Sequence, residues 1–176
     1  MTLLLLMIGA VAMVRSFGTT SALSGNLAFR RDLSNEGERG IAAAIALMKT
    51  GALSTPWSRI SNAPAYNYSA TRLPTNSDGI PVMLVNDTIF GYSGVTGADI
   101  EDSVLGIKVR YVVDRLCTTA GDFNEATCVT GAGAQDRGGS PTEKPSGQVY
   151  PLYRISVRVT GPRNTQAYFQ TTVASY

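Results

Sequence analysis

Residues 1–18, MTLLLLMIGAVAMVRSFG, govern the interpretation of the whole chain. They carry no charge before Arg15, and the next charged residue is Arg30. A membrane span needs about 20 apolar residues, and a cleaved export signal places Lys or Arg ahead of its apolar core. Residues 1–18 meet neither description. The segment is therefore predicted to form an apolar helix that is neither a complete membrane span nor a cleaved export signal.

A second helical pattern follows in residues 26–48, NLAFRRDLSNEGERGIAAAIALM. Apolar and small residues recur there at steps of three and four, as in an amphipathic helix. The positions expected to pack on a sheet are Leu33, Ile41, Ala44 and Met48. No proline precedes Pro56, and Gly51 suits a helix end. We therefore predict one helix that ends just before Gly51, with lower helix propensity near Gly18 and Gly25.

The chain changes to a period of two after Ser103, which is typical of strands with one buried face. Alternation runs through SVLGIKVRYVVDRLC (103–117) and VYPLYRISVRVT (149–160), and a last strand follows the turn GPRNT. The pattern predicts three antiparallel strands, each with one face in water and one covered by the helix. The predicted fold class is α+β, with a long N-terminal helix packed on an antiparallel sheet.

The segment before these strands is rich in Pro, Ser, Asn and Tyr, which indicates loops. We expect one short strand within IPVMLVNDTIFGY (80–92). The predicted organisation has two parts, an apolar helical part and a globular domain. Their bounds are 1–25 for the first part and 26–176 for the second, which comprises helix 26–51, loop-rich segment 52–102 and sheet 103–176.

Cys117 and Cys128 bracket the polar, turn-forming stretch CTTAGDFNEATC, so we expect both at the mouth of a loop. Their spacing does not fit a redox CxxC motif, and two thiols without histidine make a poor zinc site. An even cysteine count in an exported chain favours a disulfide. Two unrelated buried thiols are the alternative.

Composition argues against several function classes. The chain has no histidine, the commonest general base and metal ligand. No group of Asp and Glu stands out, so we predict no catalysis, cofactor, metal or small-molecule substrate. Asp78 and Asp99 lie in acidic stretches that lack the spacing of a calcium-binding loop.

A net charge of +2, without basic residues alternating with aromatic ones, argues against nucleic acid as a partner. Tyr66, Tyr68 and Tyr92 are expected to pack on the sheet rather than form an adhesive surface.

Four segments, taken in order, resemble the PilX-type minor pilins of the type IV pilus. At the front, MTLLLLMIGAVAMVRS (1–16) is followed by SGNLAFRRDLSNEGERGIAAAI (24–45), with Asn26-Leu27 and Glu38 before Gly40. At the back, the segments are RYVVDRLC (110–117) and PLYRISVRVTGPRNTQAYFQTTVA (151–174). Residues 52–98 add little to the resemblance.

The resemblance implies a type IV pilin-like fold and a role in pilus assembly or initiation, near the pilus tip, with adhesion and twitching motility as readouts. It implies other minor pilins and the major pilin as partners, and the bacterial inner membrane before assembly, with the globular domain in the periplasm. The helix positions expected to serve assembly are apolar or small: Leu5, Ile8, Gly18, Ala22 and Gly25. The family's basic leader and cleavage site do not precede Met1, so we expect the sequence to start inside the family's helix.

Other interpretations of the same residues remain open. A pseudopilin of a type II secretion system shares the apolar helix but serves secretion. A membrane-anchored adhesion or binding domain, or a hydrolase that works without histidine, would use the globular part instead.

Overall fold

The computed structural model describes residues 2–92, 95, 97, 99–132 and 149–175. Between residues 2 and 26 it describes the exposure only of Met7, Met13, Ser24 and Gly25. The expected assembly positions Leu5, Ile8, Gly18 and Ala22 therefore lie outside the described side chains. Gly25 is exposed.

The chain begins with helix α1, Thr2–Lys49. Two compact units divide within this helix, Met1–Asn35 and Glu36–Tyr176. The helix ends where the chain folds back on it: Thr50 and Gly51 both donate to the carbonyl of Ala46, at 2.9 and 3.1 Å. A Cβ on Gly51 would lie 2.9 Å from the backbone of Leu47. Glycine is therefore required for this close return.

The second unit is built on a six-stranded mixed sheet. Its central strands are β3 (Ile107–Arg115) and β5 (Val149–Gly161), which pair antiparallel, and β6 (Thr165–Ala174) lies antiparallel to β5. Shorter strands complete it: β1 (Tyr68–Ser69), β2 (Ile100–Asp102) and β4 (Thr130–Ala132). Two short helices lie between β1 and β2, α2 (Val82–Val85) and α3 (Asp87–Tyr92), and single 3₁₀ turns occupy Pro56–Arg59, Pro64–Tyr66 and Pro162–Asn164.

The predicted fold class, a pilin-like long helix on an antiparallel sheet, is wrong. β1 runs parallel to β3, with Tyr68 beside Val113, so the sheet is mixed. A parallel neighbour needs a connection of roughly a dozen residues or more, and residues 70–106 supply it. Only the last part of α1, from Glu36 onward, belongs to the compact unit that holds the sheet. A strand of two residues has no periodicity, which is why the sequence pattern did not reveal β1.

The last turns of α1 lie very close to the sheet. A Cβ on Gly40 would stand 2.7 Å from methyl groups of both Val109 and Val157, and one on Gly37 would overlap the ring of Phe169. Ala44 and Met48, further along the helix, are 0% and 3% exposed. Glycine at positions 37 and 40 therefore lets the helix backbone approach the sheet this closely.

The opposite face of the sheet is also covered at the centre of β3 and β5, so the expectation of one wet face is wrong for those two strands. Along β6 it holds, because Gln166, Gln170, Thr172 and Ala174 are exposed. Apolar side chains of the segment after β1 pack around Val112 on that face: Met83, Leu84, Phe90 and Val95. The strand expected within residues 80–92 is instead α2 and α3. Leu105 belongs to the alternating segment 103–117, from which the sequence predicts a strand, but it is 56% exposed in the turn that precedes β3.

Candidate functional site

The disulfide marks the point where β3 is interrupted before it continues as β4. Cys117 and Cys128 are joined, with Cα atoms 3.9 Å apart. Leu116 donates its N–H to the carbonyl of Leu152 in β5 at 2.9 Å, and Leu152 donates to the carbonyl of Val129 at 3.0 Å. The residues before and after the loop therefore bond the same residue of β5. The expected disulfide is present. It closes the base of a loop, residues 117–128, that is inserted between β3 and β4, two strands that pair with successive parts of β5.

The disulfide loop is tied to the segment around β1 by a buried arginine. Arg115, 2% exposed, donates to the carbonyl of Gly121 in the loop at 2.7 Å and to that of Ala70 at 3.2 Å. Gly121 also donates its N–H to the carbonyl of Ile60 at 2.8 Å, and its φ of +109° suits glycine. The loop therefore has a fixed position against residues 60–70.

A groove of about 290 Å³ opens between this loop and the 3₁₀ turn that begins at Pro56. Its lining is mostly aromatic and apolar: Pro56, Trp57, Ile60, Phe123, Tyr150 and Pro151. Trp57 is 75% exposed and Phe123 is 38% exposed, while Asp122 lies beside them as an exposed carboxylate. We call this surface the Trp57 groove. Aromatic side chains exposed around a concave surface are typical of partner-binding sites.

The floor of the Trp57 groove rests on a buried cation. Arg59, 1% exposed, donates to the carbonyls of Leu53 at 2.7 Å and Ser54 at 3.1 Å, just beyond the end of α1. It also donates to the hydroxyl of Ser175 at 3.0 Å, and its guanidinium lies 5.3 Å from the centre of the Tyr153 ring. Arg59 thus joins the end of the helix, the C-terminal residues and the groove floor.

Tyr68 completes this buried layer. Its hydroxyl donates to the carbonyl of Arg59 at 2.7 Å, and its ring lies 6.4 Å from that of Tyr153. Burial, followed by the neighbouring Tyr153, raises the pKa of Tyr68 well above its usual range. The hydroxyl therefore remains a hydrogen-bond donor at physiological pH. Tyr68 is 1% exposed, Tyr66 is 44% exposed, and the side chain of Tyr92 lies outside the described residues.

A group of paired charges lies on the sheet face that carries α2 and α3. Arg110 donates to both carboxylate oxygens of Asp99 at 2.7 Å and to Asp87 at 2.6 Å, and it stacks 4.0 Å above the ring of Phe90. Arg158 donates to Asp87 as well, and to the carbonyl of Leu84 at 2.7 Å. These bonds fix the two short helices on the sheet.

The same cluster alters the acidity of Asp87. A hydrogen bond from Arg158, together with the charges of Arg158 and Arg110, holds the pKa of the Asp87 carboxyl below its usual value. A general acid at neutral pH needs a raised pKa, which is the opposite of the shift at Asp87. The contacts of the cluster attach α2 and α3 to the sheet.

The cluster has no local sequence signature, because its members are far apart along the chain. A signal was nevertheless available, since Arg110 and Arg158 occupy the same face in neighbouring strands and are directly opposite each other. Like charges in that position are destabilising unless an acid bridges them. The opposed arginines therefore imply carboxylates above them.

The remaining expected site residues are distributed as follows. Ile41 is half-buried beside the fully buried Ala44, and Leu33, 5% exposed, belongs to the first compact unit. Within the part of the chain that the structure describes, no three His, Cys, Asp or Glu side chains form a metal-binding group.

No helix among the described residues has a stretch long and apolar enough to cross a membrane. Comparisons of the chain with protein-family models, curated proteins and solved structures find no match.

Proposed function

We propose that the protein is an assembly subunit of a type IV pilus, a minor pilin that takes part in starting or extending the filament. The observation that supports this most is the compact unit Met1–Asn35, whose described residues all belong to α1. Within that helix, residues 2–14 are apolar apart from Thr2. A helix that is apolar on all sides has to be buried, and a single helix has no core of its own. It therefore requires lipid or other helices as partners.

The proposed partners are the inner membrane before assembly, and then the helices of other minor pilins and of the major pilin. Leaving lipid for a helical bundle changes apolar burial very little, so close packing and pairing decide the exchange. Gly18, Ala22 and Gly25 provide small residues at helical spacing for that packing. The globular unit would remain outside the membrane, where an oxidising compartment maintains the Cys117–Cys128 disulfide.

A single charge in the helix tests this proposal with the full chain. Ile8→Asp, expressed in a strain that lacks the protein, should fail to restore piliation and twitching, because a carboxylate without a partner is costly among apolar helices. Ile8→Leu is the matched control and should restore both. Formation of the Cys117–Cys128 disulfide in each variant would show that the globular unit folds. Full activity of Ile8→Asp would contradict an assembly role for the helix.

The Trp57 groove favours a second candidate function, adhesion by a domain that the helix anchors. Trp57 and Phe123, which belongs to the disulfide loop, both line the groove and are exposed, so a partner could reach both. Trp57→Ala separates the two functions. Loss of surface binding with normal piliation would support adhesion, whereas unchanged binding would leave the groove without that role.

A further inference from the structure

Strand β6 forms a long edge of the sheet. It pairs with β5 along its whole length, from Gly161 opposite Thr165 to Leu152 opposite Ala174. Among the described residues it pairs with no other strand. The strands beside β3 on the far side, β1 and β2, are only two and three residues long. The edge at β6 is therefore the longest that the described part of the sheet presents.

The hydrogen bonds of Leu152 show which backbone groups of β6 point outward. Leu152 donates to Val129 and accepts from Leu116, so both of its backbone groups face β3 and β4. N–H and C=O of one residue point to the same side in an antiparallel strand, and the side alternates along the chain. Tyr153 therefore faces β6 and bonds its partner Val173.

The alternation assigns every residue of β6. Odd-numbered residues direct their backbone groups to β5. Even-numbered residues direct theirs away from the sheet, and these are Gln166, Tyr168, Gln170, Thr172 and Ala174. None of these five has a backbone hydrogen bond outside the β5–β6 ladder among the described residues. A row of outward N–H and C=O groups is a template for another extended strand.

Sequence features that usually protect such an edge are missing from β6. Natural edge strands carry lysine, other charges or proline, or they are very short. The strand Thr165–Ala174, TQAYFQTTVA, is ten residues long and contains neither a charge nor a proline. Among the described residues, nothing therefore occupies its outward backbone groups.

We propose that a second copy of this chain pairs with this edge, β6 against β6 in antiparallel orientation, about a two-fold axis at Gln170. In that register Gln170 faces Gln170 of the other copy, Tyr168 faces Thr172, and Gln166 faces Ala174. Every outward residue then meets an outward residue, so the row of donors and acceptors is self-complementary. No like charges oppose each other, and the aromatic and β-branched pair is a favourable one across strands.

Self-pairing of this kind gives a closed dimer, because one patch is used by both copies. The inference concerns the globular unit alone and does not depend on the proposed pilus function. Dimerisation through β6 would survive the loss of piliation in Ile8→Asp.

Disulfide trapping in the full-length chain tests the register directly. Both native cysteines are already joined, so Gln170→Cys introduces the chain's single free thiol. Hydrogen-bonded residues in an antiparallel pair have Cα atoms about 5.5 Å apart, which lies within the range that a disulfide spans. Gln170→Cys should therefore form a covalent dimer under mild oxidation.

Gln166→Cys is the control for random collision. In the proposed register the two Gln166 residues are roughly 27 Å apart, at about 3.4 Å for each residue of strand, so no dimer should form. Thr172→Pro added to Gln170→Cys removes one outward N–H and should abolish the dimer, whereas Thr172→Ser should preserve it. Failure of Gln170→Cys to dimerise, or equal trapping at Gln166 and Gln170, would overturn the proposal. Trapping of another protein in place of a second copy would also overturn it.

Discussion

Asp114 and Arg154 face each other across β3 and β5, and the guanidinium donates to both oxygens of the carboxylate, at 2.9 and 2.6 Å. The same carboxylate accepts the N–H of Leu73 at 2.9 Å, and Arg154 donates to the carbonyl of Leu73 at 3.1 Å. Asp114 is completely buried. The pair therefore fastens the segment after β1 to the centre of the sheet.

Removing Arg154 should expose the cost of burying Asp114. Arg154→Met leaves the carboxylate without its cation, and loss of one partner of a buried pair costs about 3–5 kcal/mol. Urea unfolding followed by fluorescence of Trp57, the chain's only tryptophan, measures the change. Arg163→Met, at an exposed position, is the matched control. Equal stability of the two variants would show that the pair does not fasten this segment.

The close approach of α1 to the sheet can be tested at Gly40. Gly40→Ala places a methyl 2.7 Å from side chains of Val109 and Val157. Overpacking of this kind costs about 1–3 kcal/mol, although alanine favours the helix by up to about 1 kcal/mol. We expect a lower free energy of unfolding. Gly25→Ala has no heavy atom within 4 Å of the new methyl and should not destabilise the chain. Greater stability of Gly40→Ala would mean that the helix packs less closely.

Loss of the disulfide should lower the free energy of unfolding and should loosen the structure most at the start of β4. Replacing both Cys117 and Cys128 with Ser restores freedom to the unfolded chain, and a loop of about this length is worth about 3 kcal/mol. The loss should appear in urea unfolding. Faster amide exchange at Val129 would show that β4 no longer continues the line of β3, because that residue lies directly after the loop. Unchanged exchange there would contradict the role assigned to the disulfide.

Acid should weaken the attachment of α3 through Asp87. The Arg158 hydrogen bond lowers the pKa of Asp87 in the folded chain. Such a group stabilises the fold above its unfolded pKa, about 3.9, and that contribution is lost as the pH falls through the folded value. Asp87→Asn should therefore reduce stability at pH 7 and flatten the decline below pH 4. Parallel stability curves for Asp87→Asn and the unaltered chain would contradict this assignment.

Much of the second unit could be predicted because its elements have strong local signals. The alternation of β3 and β5, and the turn at Gly161 before β6, locate the three long strands along the chain. The polar stretch between Cys117 and Cys128 indicates a closed loop. Gly51 indicates the end of α1.

The rest depends on contacts that no local pattern encodes. β1 is recognisable only from its bond to β3, where Val113 donates to the carbonyl of Asn67 at 2.8 Å. The segment IPVMLVNDTIFGY has apolar residues at spacings that suit a strand as well as a helix, and packing around Val112 decides for α2 and α3. The alternation of β3 also gave a wrong prediction at Val112. The face that it shares was expected to be exposed to water, but residues far away in sequence cover it.

Photocrosslinking from the N-terminal helix within assembled filaments tests the central claim most directly. A photoreactive phenylalanine analogue at Ile8, in the full-length chain, should give covalent adducts with other pilins in sheared filaments. The same probe at Val104, which is 92% exposed in the globular unit, measures nonspecific labelling. Adducts at Ile8 well above those at Val104 are the predicted result. Absence of the chain from filaments, or no pilin adduct from Ile8, would contradict the claim that this helix packs among pilin helices.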